Sequence, residues 1–214
     1  MPLETEIKFA LDDPLALRGT LQTLAEHCQG PVFEENLVLD TPDGRLAAAG
    51  MLLRLRRDCR CVLTVKRPPA KDQEGSEDLK VPNDMKVMEE WDVQVGDFET
   101  TRALLAALGY VEAFCYEKVR ETWRMGRVLV CLDRVPFGFF AEIEGGAEDI
   151  REAAGKLGLA MDRGLTRNYH QLNLEYRRGL GLAAEDGFVF PPEFRENFFQ
   201  AKDELNWLKG LGDF

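Results

Sequence analysis

Residues two apart on a β-strand share one face, and this chain repeatedly places like charges at that spacing. Glu4, Glu6 and then Lys8 alternate with Leu3, Thr5, Ile7 and Phe9. Arg54 and Arg56 alternate with Leu53 and Leu55; Lys118 and Arg120 flank Val119; Glu90 and Asp92 flank Trp91; Glu142 and Glu144 flank Ile143. Lys66 falls on the face of Thr64, opposite Leu63 and Val65. Any one such strand is explained by an ordinary half-solvated sheet. Strand after strand with pairs sorted by sign is not, because like charges at adjacent same-face sites repel. A ligand of opposite sign is the economical explanation.

If these faces line one concave surface, its cations are Lys8, Arg54, Arg56, Lys66, Lys118 and Arg120. Its acids are Glu4, Glu6, Glu90, Asp92, Asp133, Glu142 and Glu144. Carboxylate oxygens suit a hard divalent cation, and Mg²⁺ characteristically bridges from them to substrate phosphates. Arginine forks and lysine point charges suit phosphate oxygens. A ligand needing both is a metal-bound polyphosphate. Packed dry, so many charges would be prohibitively costly, so the cavity must be wet and ligand-filled.

The elements that carry these residues are mostly strands: Leu3–Phe9, Val32–Asp40, Met51–Arg57, Cys61–Lys66, Val87–Val95, a hairpin of Tyr116–Met125 with Arg127–Asp133, and Phe139–Glu144. Asp13-Pro14 opens a helix whose stripe Leu17, Leu21, Leu24 and Cys28 predicts that it runs to Gly30. Asp97 caps a helix through Leu108, and further helices are predicted at Ala147–Leu157, Thr166–Tyr176 and Glu193–Leu208. Pro68 to Asp84 reads as a polar loop. The order gives an α+β fold around an antiparallel sheet or barrel.

Composition narrows the function. The 214 residues carry a formal net charge of −11, with 45% hydrophobic and 30% charged residues. That balance is globular, and its acidity argues against nucleic acid. There is no secretory signal at the start and no apolar run long enough for a membrane helix, so a cytoplasmic protein is expected. Cys59-Arg60-Cys61 is too close a pair for a zinc knuckle, and only His27 and His170 are present, which excludes HExxH. No GxxxxGK[ST] occurs. The chemistry must run on carboxylates, Lys and Arg.

Glu4-Thr5-Glu6-Ile7-Lys8 resembles the N-terminal ExExK signature of the CYTH superfamily, the triphosphate tunnel metalloenzymes, named for class IV adenylyl cyclases and thiamine triphosphatases. Matches continue in order with Leu39-Asp40-Thr41-Pro42, Leu52 to Arg56, Leu63 to Arg67, Glu117 to Arg120, Leu132-Asp133 and Phe140 to Gly145. The resemblance covers residues 1–178 and implies a closed eight-stranded antiparallel β-barrel with helices outside. By the same resemblance, Lys8, Arg54, Arg56, Lys66, Lys118 and Arg120 hold a triphosphate. Arg167 matches a late basic residue of some relatives. Glu4, Glu6, Asp133, Glu142 and Glu144 would hold Mg²⁺ or Mn²⁺. Glu90 and Asp92 match an acidic pair on the middle strand, with Asp92 one methylene shorter than the usual Glu. Lys8, Glu4 and Glu6 form the expected catalytic centre. Residues 179–214 match nothing in the core family, and their Phe194, Phe198, Leu205 and Leu208 predict a helical extension against the barrel or against a second subunit of a homodimer.

The implied chemistry is metal-assisted attack at phosphorus on a small-molecule triphosphate. A triphosphatase is expected first, since hydrolysis needs only residues already named. A class IV adenylyl cyclase is the alternative; it needs a base pocket that the sequence does not locate. A catalytically idle polyphosphate-binding barrel is disfavoured by the charge cost of keeping Glu4, Glu6, Glu142 and Glu144 together.

Overall fold

A computed structural model describes residues 3–69, 84–201 and 205–208. Eight strands form it: β1 (Leu3–Ala10), β2 (Glu26–Asp40), β3 (Leu52–Arg57), β4 (Cys61–Arg67), β5 (Lys86–Val95), β6 (Val111–Met125), β7 (Val128–Val135) and β8 (Gly138–Glu144). They pair antiparallel in the order β1-β5-β4-β3-β2-β6-β7-β8. The last strand returns to the first through Ile7↔Ile143 and Lys8↔Glu142, which closes the barrel and removes the edges an open sheet would expose.

The barrel is inverted relative to a sandwich core: its apolar sides face outward onto helices. Ile7, Val119, Val130, Leu132, Ala141 and Ile143 pack with Leu17 and Leu21 of α1 (Pro14–Leu24) and with Ile150, Ala153 and Ala154 of α4 (Ala147–Lys156). Across the barrel, Leu37, Leu39, Leu53 and Leu55 pack with Phe98 and Leu105 of α3 (Phe98–Ala107). Asp13 and Asp97 cap α1 and α3, accepting from Ala16 N at 2.9 Å and Thr100 N at 2.6 Å. The Asp40 carboxylate of the Leu-Asp-Thr-Pro stretch has a structural use. It accepts from the amides of Leu46 and Ala47, at the start of the one-turn α2 (Arg45–Ala48).

Several boundaries differ from the sequence reading, among them the start of β6, which lies at Val111 rather than Tyr116. Helix α1 stops at Leu24, and the stretch expected to continue it to Gly30 belongs to β2. The long β6 supplies partners there, Glu26↔Arg124 and His27↔Trp123, and the His27 and Trp123 rings lie 4.5 Å apart. Strand pairing overrides the helical spacing of Leu24 and Cys28. Helix α5 (Tyr169–Gly179) begins three residues late, because Leu165 first pairs with β1, exchanging backbone bonds with Lys8 at 2.8 and 3.1 Å. The tail helix is α6 (Pro192–Gln200), followed by a single turn at Asn206–Leu208, with 202–204 outside the described residues. Most of the polar loop, 70–83, also lies outside them.

The tail is bound to the barrel wall. Phe188 forms a parallel bridge with Tyr116: Glu117 N donates to Phe188 O at 2.9 Å and Phe188 N to Cys115 O at 3.2 Å. Two glycines permit the close approaches on either side of α5. A Cβ on Gly164 would lie 2.2 Å from Ile7 Cδ1, and one on Gly187 would lie 2.9 Å from Cys115 O. Further along, the buried Glu117 carboxylate accepts from Phe190 N at 2.9 Å and pairs with Arg195. Arg134, its pKa lowered by burial to about 10, donates to Trp207 O at 2.6 Å.

Candidate functional site

With the apolar faces turned outward, strand alternation sends the charged faces into the barrel, where they pair across it. Lys8 lies between Glu6 at 2.8 Å and Glu142 at 3.2 Å, and Lys86 reaches Glu6 at 2.8 Å. Lys66 binds Glu4, and Glu90 at 3.0 Å. Arg54 donates to Thr64 Oγ1 at 3.0 Å and Tyr116 Oη at 3.3 Å, with Glu90 at 3.9 Å. Arg56 faces Glu34 at 3.6 Å and Asp58 at 3.2 Å. Lys118 bridges Glu34 at 3.5 Å and Asp133 at 3.2 Å, while Arg120 holds Asp133, through Nε at 2.6 Å, together with Glu142.

Most of the residues named from sequence are thus gathered on one inner surface. Two stand apart. Arg167 is exposed and pairs with Glu175 on α5, away from the lining. Asp92 shares the face of Glu90 but is exposed, with its carboxylate taken by Thr64 Oγ1. Asp133 has the strongest hold on its surroundings: Lys118, Arg120 and the Tyr169 hydroxyl, at 2.7 Å, all converge on it. It sits as an anchor for cations.

Charge compensation is uneven. Burial works to raise the Glu6 pKa, but Lys8 and Lys86 hold it below the usual carboxylate range. Burial likewise opposes ionisation of Glu142, which Arg120 and Lys8 keep well below its ordinary value. Lys8 itself is raised by Glu142 and Glu6 against its burial. At Glu90 the balance reverses: burial and the hydrogen bond shared with Glu4 push it up to about 7 despite Lys66. Glu144 is raised too, by burial and by the nearby Glu4. Glu4, by contrast, is held below the usual range against its burial by the hydrogen bond with Glu90 and by Lys66, so within the group of Glu4, Glu90 and Glu144 it is Glu90 and Glu144 that are short of positive charge.

That group is the right chemistry for a hard dication. Glu4 and Glu90 are turned to Lys66, Glu90 also to Arg54, and among the described residues no three His, Cys, Asp or Glu side chains converge as a ready metal cage. The residues fit such an ion in kind and would have to exchange cationic partners to hold it.

Sequence reasoning missed several lining residues. Glu34 and Asn36 share a face of β2, but the Glu34-Glu35 doublet hides the alternation. Glu34 is nevertheless held down to about 2, against its burial, by Lys118, Arg120 and both arginines of β3. Lys86 precedes the strand expected at Val87. Tyr169 comes from a helix, so no strand pattern could reveal it. Its ring lies 5.4 Å from Lys8 Nζ and 5.6 Å from Lys118 Nζ. Together with Phe140, Phe137, Phe188 and Tyr116 it forms an aromatic cluster where α5 and the tail meet the barrel.

The sequence model of the CYTH domain matches residues 2–169. The chain belongs to the CYTH family. Among its relatives is a Methanocaldococcus jannaschii protein named for a suggested adenylate cyclase activity, 27% identical over 152 residues, which are 70% of this chain and 81% of that protein. A Vibrio parahaemolyticus structure, also named for a suggested adenylate cyclase, superposes with a TM-score of 0.67 at 20% identity, covering 79% of this chain and 97% of its own. A Hippeastrum protein, described as a suggested adenylyl cyclase with a dominant triphosphatase activity, superposes with a TM-score of 0.55 at 20% identity, covering 82% and 96%. This CYTH chain therefore shares the tunnel fold with proteins named for both reactions. Its C-terminal segment beyond residue 169 carries α5, Phe188 and the Arg195 latch.

Proposed function

We propose that this chain is a divalent-metal-dependent phosphoryl-transfer enzyme acting on a triphosphate-bearing small molecule, and that it is a triphosphatase. The carrying observation is the buried lining itself: six cations and their carboxylate partners gathered inside a closed barrel. Lys8, Arg54, Arg56, Lys66, Lys118 and Arg120 would neutralise and align the phosphate chain. Asp133 and Tyr169 fix Lys118 and Arg120, so those cations present a set geometry.

Glu4, Glu6, Glu90, Glu142 and Glu144 would hold Mg²⁺ or Mn²⁺. When bound, such an ion supplies charge neutralisation at the transferring phosphoryl group. Hydrolysis then requires a water in line with the terminal phosphorus; its oxygen forms the new P–O bond as the bond to the bridging oxygen breaks. A second reading, cyclisation of ATP to cyclic AMP and pyrophosphate, is favoured by the names of the Methanocaldococcus and Vibrio relatives.

A substrate panel tests these readings. Tripolyphosphate, thiamine triphosphate and ATP are incubated separately with Mg²⁺ or Mn²⁺ and the products separated by chromatography. Orthophosphate without cyclic AMP is expected. Cyclic AMP with pyrophosphate from ATP would replace hydrolysis by cyclisation, and no turnover with any of the three would overturn the enzyme reading.

A further inference from the structure

Asn36 lies on the tunnel face of β2 between Glu34 and Val38, opposite Arg56 on one side and Tyr116 on the other. It is fully buried, and neither its Oδ1 nor its Nδ2 has a hydrogen-bond partner. Buried amides are ordinarily bonded, and one left unmade destabilises the fold relative to an apolar side chain of the same size. Its surroundings share the deficit. Arg54 Nε has no acceptor, and Glu34 Oε2 has only the Lys118 ammonium at 3.5 Å. On the far wall, by contrast, Lys8, Glu6 and Glu142 engage one another.

The unmet bonding on this wall contains donors, Asn36 Nδ2 and Arg54 Nε, beside acceptors, Asn36 Oδ1 and Glu34 Oε2. A bare phosphate chain offers oxygen acceptors and would complete only half of it. A ligand carrying a hydroxyl or amino group next to its phosphates would complete both. Building on the phosphoryl-transfer reading above, we propose that Asn36 is a specificity-determining residue that contacts the organic part of the substrate. The tunnel then takes a triphosphate ester bearing a hydroxyl or amino donor in preference to inorganic tripolyphosphate. Arg56, the cross-strand neighbour of Asn36, turns toward the phosphates and opens the amide to that group.

The test compares wild type with Asn36→Leu by thermal melting, first without ligand and then over a titration of ATP, thiamine triphosphate or tripolyphosphate with Mg²⁺. Wild type should bind one of the two esters more tightly than tripolyphosphate. Asn36→Leu should melt higher than wild type without ligand. It should lose about 3- to 10-fold in affinity for the preferred ester, the worth of one neutral hydrogen bond, and less than about 2-fold for tripolyphosphate. Asn36→Ala, which adds no branched volume, should show the same discrimination should the leucine fail to fit. Equal losses for ester and tripolyphosphate would overturn the role in reading the organic part. Unchanged affinities with a lower melting point would make Asn36 structural. Wild type binding none of the probes would remove the phosphoryl-transfer reading itself, an outcome separate from either.

Discussion

Glu90 gives the sharpest physical test of the tunnel, and it needs no substrate. Its carboxyl is pushed from an ordinary 4.5 to about 7, first by burial and then by the hydrogen bond with Glu4, against the pull of Lys66. The side chain is 18% exposed, so solvent screens this only partly. A raised carboxyl means the folded protein binds a proton that the unfolded chain has already released. Stability therefore falls as pH rises from about 4.5 to about 7, and the full penalty remains at higher pH. Each pKa unit is worth about 1.4 kcal/mol, so the displacement amounts to roughly 3 kcal/mol. Glu90→Gln keeps a hydrogen-bonding side chain beside Lys66 and removes the charge. It should gain nothing at pH 4 and roughly 3 kcal/mol at pH 8, or about 6–12 °C in Tm for a domain of this size. Melting in EDTA by calorimetry, across pH 4 to 8, measures both. An equal gain at both ends, or a loss at pH 8, would refute the claim that the carboxylates around Glu4 are short of positive charge.

Two other perturbations follow from the same bookkeeping of buried charge. Arg195→Met should destabilise the protein by about 3–5 kcal/mol at pH 8, because it leaves the Glu117 carboxylate buried without its cation; adding Glu117→Gln should restore most of the loss in a denaturant titration. Wild type should melt higher with Mg²⁺, the Glu4→Gln/Glu6→Gln double variant should lose that rise, and an undiminished rise in the variant would place the ion elsewhere.

The lining was legible because a strand has a period of two and charge is the one property that cannot be buried casually. Glu4-x-Glu6-x-Lys8 and Arg54-x-Arg56 announce an inner face without any knowledge of the partners. What the pattern could not convey was which charge meets which. Lys66 reaches Glu4 across 62 positions of sequence, and Asp133 collects Lys118, Arg120 and Tyr169 from two different elements. Arg167 was placed by sequence order alone, and the turn that seats Leu165 beside Lys8 leaves it on the outside with Glu175. The helix expected to reach Gly30 failed for a related reason: its spacing was local, while its pairing with Arg124 and Trp123 was not.

The ion pairs that line the tunnel also determine how two ligands would sense one another. Lys66 is occupied by Glu4 and Glu90, and Lys8 by Glu6 and Glu142. A dication that takes those carboxylates releases the ammonium groups a phosphate chain requires, and a phosphate chain that takes the ammonium groups releases the carboxylates a dication requires. Filling the barrel is thus an ion exchange, in which each ligand removes the other's competitor. Thermodynamic reciprocity then demands equal heterotropic cooperativity in both directions. On the proposed function, either ion alone would have to break pairs that nothing else mends, so the tunnel would discriminate against free metal and free polyanion alike and admit them as a neutralised couple.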